Sequence, residues 1–145
     1  MLSKTKKKLI ANLRNNTYCR LKPDSFGGVG VFAIKDIPMG KNPFLYPTGA
    51  CVNKTVDIPD SYIKQFDSEV QKMITDFYEM NEDGTWTIPK VGLNGNDVSF
   101  YLNTSKNNNL KISSTSKCDM VIFKTTRYIM AGEELFIDYD DYKNI

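Results

Sequence analysis

The sequence predicts an α+β fold in which β-structure dominates. Short runs of β-branched and aromatic residues alternate with glycine-, proline- and asparagine-rich turns along much of the chain, a pattern typical of short strands. One segment, at about residues 60–78, carries apolar residues at helical spacing. A polar stretch at residues 103–118 is rich in asparagine, serine and lysine, and we interpret it as a solvated loop of the kind that is often functional.

The length of the chain, 145 residues, predicts a single domain. We expect residues 1–14 to form a basic N-terminal tail and residues 15–145 to form the domain, with a helical insert at about residues 60–79. The lysines of the tail could touch phosphate or act as a targeting signal, but a solvated, frayed terminus is the simpler interpretation.

The first clear strand signal lies between two turns. Residues 27–30 form a glycine-rich turn, and the β-branched run that follows continues to Ile34, before residues 37–40 end it in a second turn. Further short strands are predicted at residues 44–46, 50–52, 85–88, 119–123, 125–129 and 134–139.

The helical segment has one continuous apolar stripe. The stripe consists of Tyr62, Ile63, Phe66, Val70, Met73, Ile74 and Phe77. Pro59 precedes the segment, Asp60 or Ser61 can cap its first amides, and residues 81–84 end it. The stripe predicts a helix that faces the core, and a face that binds a partner is the alternative.

The composition excludes several kinds of site. The chain has no histidine, which removes Ser-His-Asp triads, Cys-His nucleophiles and the usual zinc frameworks, so we expect no metal. Its three cysteines, Cys19, Cys51 and Cys118, form no CxxC pair and favour an intracellular, reducing compartment. No apolar run approaches the roughly 20 residues of a membrane helix, so we expect no membrane partner. The net charge of +2 is too small to argue for nucleic acid.

Three motifs carry the functional signal. The first is the pair Gly28 and Gly30 around Val29, where the absence of a Cβ lets the backbone lie directly against a ligand. The second is the asparagine-rich run at residues 100–109, and the third is the acidic, apolar run at residues 132–139. Each motif alone has an ordinary explanation: a hairpin turn, a turn filler, and a core strand that ends in a tyrosine.

Together, and in this order, the three motifs resemble the SET domain of protein lysine methyltransferases over about residues 17–142. The resemblance implies a fold of short twisted sheets with a knot-like, threaded C-terminal segment. It also implies S-adenosyl-L-methionine as cofactor and a lysine side chain of a basic protein as substrate.

The resemblance assigns the cofactor site and shows where this chain departs from the family. The implied cofactor-binding residues are Gly28, Val29, Gly30, Phe100, Asn103, Thr104 and Tyr139. Asn103, Ser105 and Asn109 fall on family positions, whereas Thr104 stands where the family usually has a histidine. Phe100 replaces an arginine and Asn108 a proline. A threonine cannot form the two-ended hydrogen bonding of an imidazole, so we expect altered local geometry around the cofactor.

The resemblance also assigns the catalytic residues and the lysine channel. Tyr139 takes the position of the catalytic tyrosine, and Tyr46 is a second catalytic candidate in the channel wall. Ile137, Tyr101 and Tyr142 are expected along the substrate channel. A hydroxyl at position 137 could hold a water that blocks further methylation. Because isoleucine cannot, we expect di- or trimethylation.

Lysine methylation needs a neutral amine, and free lysine has a pKa near ~10.4. Desolvation in a narrow channel lowers that pKa, so an enzyme without histidine needs no strong base. A tyrosine hydroxyl beside backbone carbonyls can orient the amine without becoming a phenolate.

The charge pattern suggests the substrate. The chain's C-terminal region carries a set of carboxylates, which are Glu133, Glu134, Asp138, Asp140 and Asp141. An acidic rim of this kind would attract a lysine-rich peptide such as a histone tail, although a solvated tail is an equal alternative. No direct nucleic-acid contact is required. Small single-domain members of the family, viral ones among them, suggest a homodimer. The nucleus, or a host nucleus, is a candidate location.

Two other functions remain open from the sequence. The first is a catalytically weakened SET-like module that binds a protein or peptide, which the departures at Phe100 and Thr104 motivate. The second is a basic-tailed accessory domain for nucleic acid, which no interleaving of aromatic and basic residues supports.

Overall fold

The protein is represented by a computed structural model. It describes residues 1–47, 54–115 and 121–144, so the strand expected at residues 50–52 and the start of that at 119–123 lie outside the described residues, as do Cys51 and Cys118. The chain divides into two compact units, one formed by Met1–Cys51 and Asp97–Ile145 and the other by Val52–Asn96. Among the described residues, no helix is both long and apolar enough to cross a membrane.

The elements follow one another along the chain as α1 (Lys4–Asn15), β1 (Cys19–Pro23), β2 (Val29–Ala33), β3 (Thr55–Pro59), α2 (Asp60–Ile63), α3 (Ser68–Phe77), β4 (Thr85–Pro89), β5 (Asn103–Thr104), β6 (Leu110–Thr115), β7 (Val121–Thr125) and β8 (Glu134–Ile137). Short 3₁₀ segments occupy Leu93–Gly95, Val98–Tyr101 and Tyr139–Asn144. Small sheets with few helices confirm the predicted α+β fold dominated by β-structure.

The main sheet of the first unit has the strand order β1-β2-β8-β5. β2 pairs antiparallel with both β1 and β8, whereas β5 runs parallel to β8. This topology puts the last strand of the chain between the glycine motif on one side and Asn103 on the other. All three sequence motifs therefore meet in one sheet.

Alternate residues of β8 face the core, which suits its position inside the sheet. Leu135 and Ile137 point into the core and are fully buried, while the residues between and before them are half-buried. The core of this unit consists of Tyr18, Val31, Ala33, Ile37, Leu102, Leu110, Phe123, Ile129, Leu135 and Ile137. β6 and β7 form a separate antiparallel pair, from which Leu110 and Phe123 reach that core.

The N-terminal residues form a helix where a tail was expected. Ser3 caps α1 by accepting a hydrogen bond from the Lys6 amide, and the lysines, leucines and alanine that follow are good helix formers. No residue of α1 is buried. Two hydrogen bonds attach its C-terminal half: Asn12 donates to the Leu45 carbonyl at 2.8 Å, and Lys35 donates to the Arg14 carbonyl at 3.3 Å.

The second unit contains the antiparallel pair of strands β3 and β4 and, between them in the chain, two helices, where one continuous helix was expected. The prediction was wrong because Asp67 caps a new helix: its side chain accepts a hydrogen bond from the Glu69 amide, which starts α3 four residues after α2 ends. The core of the unit is small and consists of Ile63, Ile74, Trp86 and Ile88. Tyr62 and Phe66 of the predicted stripe are exposed.

Two strand predictions and one loop prediction also need correction. Residues 44–46 form a turn and an irregular segment that contains no strand, since prolines on both sides limit ladder hydrogen bonds. Residues 125–129 contribute only the end of β7 and one bridge, from Ile129 to Ile37. The supposed loop at residues 103–118 contains β5 and β6, because its few apolar positions, led by Leu110, are used for the core.

Candidate active site

The carboxamide of Asn109 fixes β8 from the side of the asparagine-rich segment. Its Oδ1 accepts a hydrogen bond from the Phe136 amide at 2.8 Å, and its Nδ2 donates to the Glu134 carbonyl at 2.9 Å. The Asn109 amide also donates to the Phe136 carbonyl at 3.3 Å. With 2% exposure, Asn109 is one of the few buried polar residues described. One side chain thus satisfies two backbone hydrogen-bonding groups of β8.

Tyr139 lies immediately beyond β8 and is held at both its backbone and its hydroxyl. Its amide donates to Oγ1 of Thr104 at 3.0 Å, and its hydroxyl donates to the Leu102 carbonyl at 2.6 Å. The ring remains 48% exposed. Partial burial raises the pKa of the phenol, so Tyr139 is a neutral hydrogen-bonding group near pH 7.

The hydroxyl of Thr104 therefore has a role that its sequence position did not reveal. It stands at the residue where the family usually has a histidine, and it accepts the backbone hydrogen bond that places Tyr139. The threonine hydroxyl thus holds the backbone of the tyrosine at this position.

Aromatic rings extend from Tyr139 into the core. The ring of Tyr142 lies 6.3 Å from that of Tyr139, and Phe123 packs edge-on against Tyr142 at 6.5 Å. Burial, followed by the neighbouring Tyr139 and Asp141, raises the pKa of Tyr142 to about 12. Tyr142, one of the expected channel residues, therefore has a ring contact with Tyr139.

The other expected channel residues are placed differently. Ile137 is fully buried and belongs to the core cluster. Tyr101 is half-buried and packs against the same cluster. Phe100, expected near the cofactor, is half-buried on the 3₁₀ segment that precedes Asn103.

The glycine motif and Asn103 form a second arrangement beside β8. Nδ2 of Asn103 donates to three acceptors, which are Oε2 of Glu134 at 2.8 Å, Oδ2 of Asp24 at 3.0 Å and the Val29 carbonyl at 3.2 Å. A Cβ on Gly30 would stand 2.5 Å from the Glu134 carboxylate and 3.1 Å from Nδ2 of Asn103. Glycine is required at position 30 because these two side chains occupy the space.

Asp24 organises the turn that leads into the glycine motif. Its Oδ1 accepts hydrogen bonds from the Phe26 and Gly28 amides at 2.9 and 2.8 Å, while Oδ2 remains for Asn103. The hydrogen bond from the Gly28 amide, and after it that from the Phe26 amide, holds the pKa of Asp24 below its usual range. Gly28 itself is exposed.

Tyr46 contacts Asp97 and makes no described contact with Tyr139. Its hydroxyl donates to Oδ2 of Asp97 at 2.6 Å, and burial, with Asp97 as a second cause, raises its pKa. Both residues line an open groove of about 200 Å³ between the end of α1 and residues 43–47. The charge of Asp97 also contributes to the raised pKa of Tyr142, so Asp97 affects both tyrosines.

The acidic rim is partly neutralised. Nζ of Lys106 lies 3.0 Å from Asp138 and 2.9 Å from Asp140. Arg127 pairs with Glu133 at 3.2 Å. Two cations therefore offset part of the expected acidic rim: Lys106, which precedes its partners by more than thirty positions, and Arg127, which precedes Glu133 by six.

Sequence reasoning missed three contributors to the site: Asp24, Lys106 and the Leu102 carbonyl. For Asp24 a signal was available, since an aspartate in a turn often accepts the backbone amide two residues on, which here is that of Phe26. The other two depend on contacts across more than thirty residues. Among the described residues, no group of three or more cysteine, aspartate or glutamate side chains is arranged to hold a metal ion.

Comparison with known proteins is consistent with this geometry. The chain resembles the crystal structure of a proposed histone methyltransferase from Plasmodium falciparum, with a TM-score of 0.53 and 16% identity, over 85% of this chain and 93% of that one. At this identity the likeness shows the fold alone. A comparison with curated protein sequences finds no significant match. The sequence model of the SET domain matches residues 28–140, most of the chain. The chain belongs to the SET-domain family of protein lysine methyltransferases.

Proposed function

We propose that this protein transfers a methyl group from S-adenosyl-L-methionine to the side-chain amine of a lysine in a basic protein. The observation that carries the proposal is the placement of Tyr139, whose hydroxyl donates at 2.6 Å to the carbonyl of Leu102, the residue before Asn103. The tyrosine expected to orient the amine and the asparagine expected to bind the cofactor are thus adjacent.

The residues around Gly30 fit the cofactor's methionine end. Gly28 is exposed without a Cβ, and Asn103 presents a carboxamide whose Nδ2 is engaged by acceptors. The Asp24 and Glu134 carboxylates give this place a negative potential, which suits a cationic ligand. When bound, the cofactor would supply an electrophilic methyl group on a sulfonium.

The chain's own residues would act on the amine. Because its proton is donated to the Leu102 carbonyl, the neutral Tyr139 hydroxyl can accept a hydrogen bond from the amine and hold the nitrogen in line with the methyl group. The Leu102 carbonyl fixes that hydroxyl, and the Tyr142 ring lies 6.3 Å from the Tyr139 ring, where it would displace water when a lysine binds. Exclusion of water lowers the pKa of the substrate ammonium, which then loses its proton to solvent before the transfer.

A histone is the substrate we propose first. Asp141 and the partly exposed Asp140 keep negative charge near Tyr139 despite the Lys106 pairs, and a lysine-rich segment could compete for those carboxylates. The fold neighbour is itself a proposed histone methyltransferase. Since the buried Ile137 side chain supplies no hydroxyl that could hold a blocking water, we propose that transfer proceeds to the di- or trimethylated lysine. A nuclear location would give access to this substrate.

Two measurements test the proposal. Calorimetry with S-adenosylmethionine measures cofactor binding, and transfer of labelled methyl groups to a panel of histones, followed by mass spectrometry, measures turnover and the degree of methylation. Binding with transfer supports the proposal. Binding without transfer to any panel member would favour the catalytically weakened binding module, and absence of binding would contradict both. A product that stops at one methyl group would contradict the proposed degree of methylation.

A further inference from the structure

Helix α1 has an apolar face in contact with solvent. Leu9 and Leu13 are four positions apart, and Ile10 is three positions before Leu13, so the three side chains share one face of the helix. All three are exposed, and no residue of α1 is buried. The described part of the chain therefore leaves this face without a packing partner.

The charge of α1 is entirely positive. Its charged side chains are all exposed, and they are Lys4, Lys6, Lys7, Lys8 and Arg14. None of them forms an ion pair with a carboxylate in the part of the chain that the structure describes. Lys7 and Lys8 follow Lys4 by three and four positions and so share a face that lies largely opposite the leucines. Lys6 falls among the leucines, where its alkyl stem can lie along them while its ammonium group extends outward.

The contacts with the rest of the chain fasten α1 along one side only. Nδ2 of Asn12 donates to the Leu45 carbonyl, and Nζ of Lys35 donates to the Arg14 carbonyl. Consecutive residues are about 100° apart on a helix, so the side that Asn12 attaches is not the side that carries Leu13. A helix held in this way can lie on a flat surface, whereas a groove of another protein could not enclose it.

We propose that α1 binds the surface of an anionic lipid bilayer, with Leu9, Ile10 and Leu13 among the acyl chains and the lysines at the headgroups. The helix has 12 residues and is about 18 Å long, shorter than the roughly 30 Å hydrocarbon core, so it would lie in the plane of the interface. The expectation of no membrane partner rested on the lack of a spanning run, which a helix on the surface does not need. One partner would then pair with the cations and cover the apolar face.

Two other partners would account for less of α1. Nucleic acid would neutralise the cations, but its phosphates would leave the three apolar side chains in water. A second copy of the chain could cover the apolar face by packing helix against helix, but α1 has no acidic residue, so the two helices would repel each other. Binding to a bilayer is independent of the proposed methyl transfer, since it requires neither cofactor nor lysine substrate.

The test is cosedimentation of the full chain with vesicles of phosphatidylcholine alone and of an equimolar mixture of phosphatidylcholine and phosphatidylserine. Two double variants each remove one feature of α1: Leu9→Gln with Leu13→Gln, and Lys7→Gln with Lys8→Gln. Glutamine has a helix propensity close to those of leucine and lysine, so α1 should still form. We expect wild type to prefer the mixed vesicles by at least about tenfold, because each cation near an anionic surface contributes about fivefold in affinity. Each double variant should lose at least about tenfold on the mixed vesicles.

Matched control variants make comparable changes in the second unit. Met73→Gln with Met80→Gln alters two apolar side chains that are 41% and 52% exposed, against 44% and 59% for Leu9 and Leu13. Lys72→Gln with Lys90→Gln removes two exposed lysines. Both controls should bind the mixed vesicles within about twofold of wild type. Because α1 buries no side chain, its two double variants should keep the thermal unfolding midpoint of wild type.

Weaker vesicle binding by both α1 variants, with unchanged unfolding midpoints and with controls that bind, supports the proposal. Binding that Leu9→Gln with Leu13→Gln leaves unchanged would show adsorption by charge alone and overturn it. Wild type that does not bind the mixed vesicles would also overturn it. In that case, binding of a short DNA duplex that only the lysine variant weakens would indicate nucleic acid as the partner. A dimer in analytical ultracentrifugation that only the leucine variant dissociates would indicate a second copy.

Discussion

Removing the carboxamide of Asn109 should destabilise the fold more than any other single loss of an asparagine side chain in this segment. In the variant Asn109→Ala the Phe136 amide and the Glu134 carbonyl both lose their partner, next to a side chain with 2% exposure. An unsatisfied buried polar group costs about 1–3 kcal/mol. We expect a loss of roughly 3 kcal/mol of unfolding free energy, a large part of the 5–15 kcal/mol that is typical of a domain.

The neighbouring residue provides a matched control. Asn108 is half-buried and donates to the Ser105 carbonyl at 3.3 Å, at the long end of hydrogen bonding. Asn108→Ala should therefore cost less than about 1 kcal/mol. Urea unfolding followed by circular dichroism measures both. If the two variants lose the same stability, the carboxamide of Asn109 does not hold β8 and the reasoning is refuted.

A charged variant at the same position gives an independent signature. Asn109→Asp keeps an acceptor for the Phe136 amide but directs a carboxylate at the Glu134 carbonyl. Burial against that carbonyl should raise the pKa of the new carboxyl above its ordinary value of ~3.9. Because the folded state prefers the protonated form, stability should be regained as pH falls through this raised pKa, relative to wild type. A pH-independent difference would contradict the assignment.

Three further predictions concern the remaining contacts of the site. Gly30→Ala should push the Glu134 carboxylate away and weaken S-adenosylmethionine binding severalfold, as measured by calorimetry. Adding Glu134→Ala to the same chain should relieve the crowding, and additive effects of the two changes would argue against a clash between these residues. Thr104→Val removes the acceptor for the Tyr139 amide and should lower kcat about tenfold with little change in unfolding free energy, while Thr104→Ser should retain activity; equal rates would refute this. In the folded state the pKa of Asp36 lies below its ordinary 3.8. The ionised carboxylate therefore stabilises the fold above that pH, and this contribution is lost as the pH falls through the lower pKa of the folded state. Acid unfolding of Asp36→Asn should accordingly be less steep than that of wild type.

The strand that carries the catalytic candidate was predictable because its pattern is local. Residues 134–137 alternate between half-buried and fully buried positions, as a period of two requires, and the glycine run gave the partner strand. The family resemblance then placed Tyr139 at the end of that strand. Local periodicity together with a motif was sufficient for this part of the site.

The helices show where local patterns compete. The apolar stripe at residues 60–78 indicated one helix, but Asp67 offered a cap in the middle of it, and the cap determined where α3 begins. At the N-terminus a run of lysines suggested a tail, although Ser3 and the leucines that follow have the propensities of a capped helix. In both places a capping residue, and not the longer pattern, determined where the helix begins.

The contacts that complete the site could not be predicted from the sequence. The Lys106 pairs with Asp138 and Asp140 join residues more than thirty positions apart, and so does the bond from Tyr139 to the Leu102 carbonyl. Backbone carbonyls carry no sequence signal, and a surface lysine is compatible with almost any partner. Only the folded arrangement of β5 beside β8 brings these groups together.

The central claim is that Tyr139 is the catalytic tyrosine of a lysine methyltransferase. Its most direct test is the initial rate of labelled methyl transfer to core histones at saturating S-adenosylmethionine, for wild type, Tyr139→Phe and Tyr128→Phe. Tyr128 is a suitable control because it is 53% exposed, against 48% for Tyr139, and its hydroxyl also has one acceptor, Asp36. We expect Tyr139→Phe to lose at least about 100-fold in rate with its unfolding midpoint nearly unchanged, and Tyr128→Phe to keep its rate within about twofold. Equal transfer by wild type and Tyr139→Phe would contradict the claim.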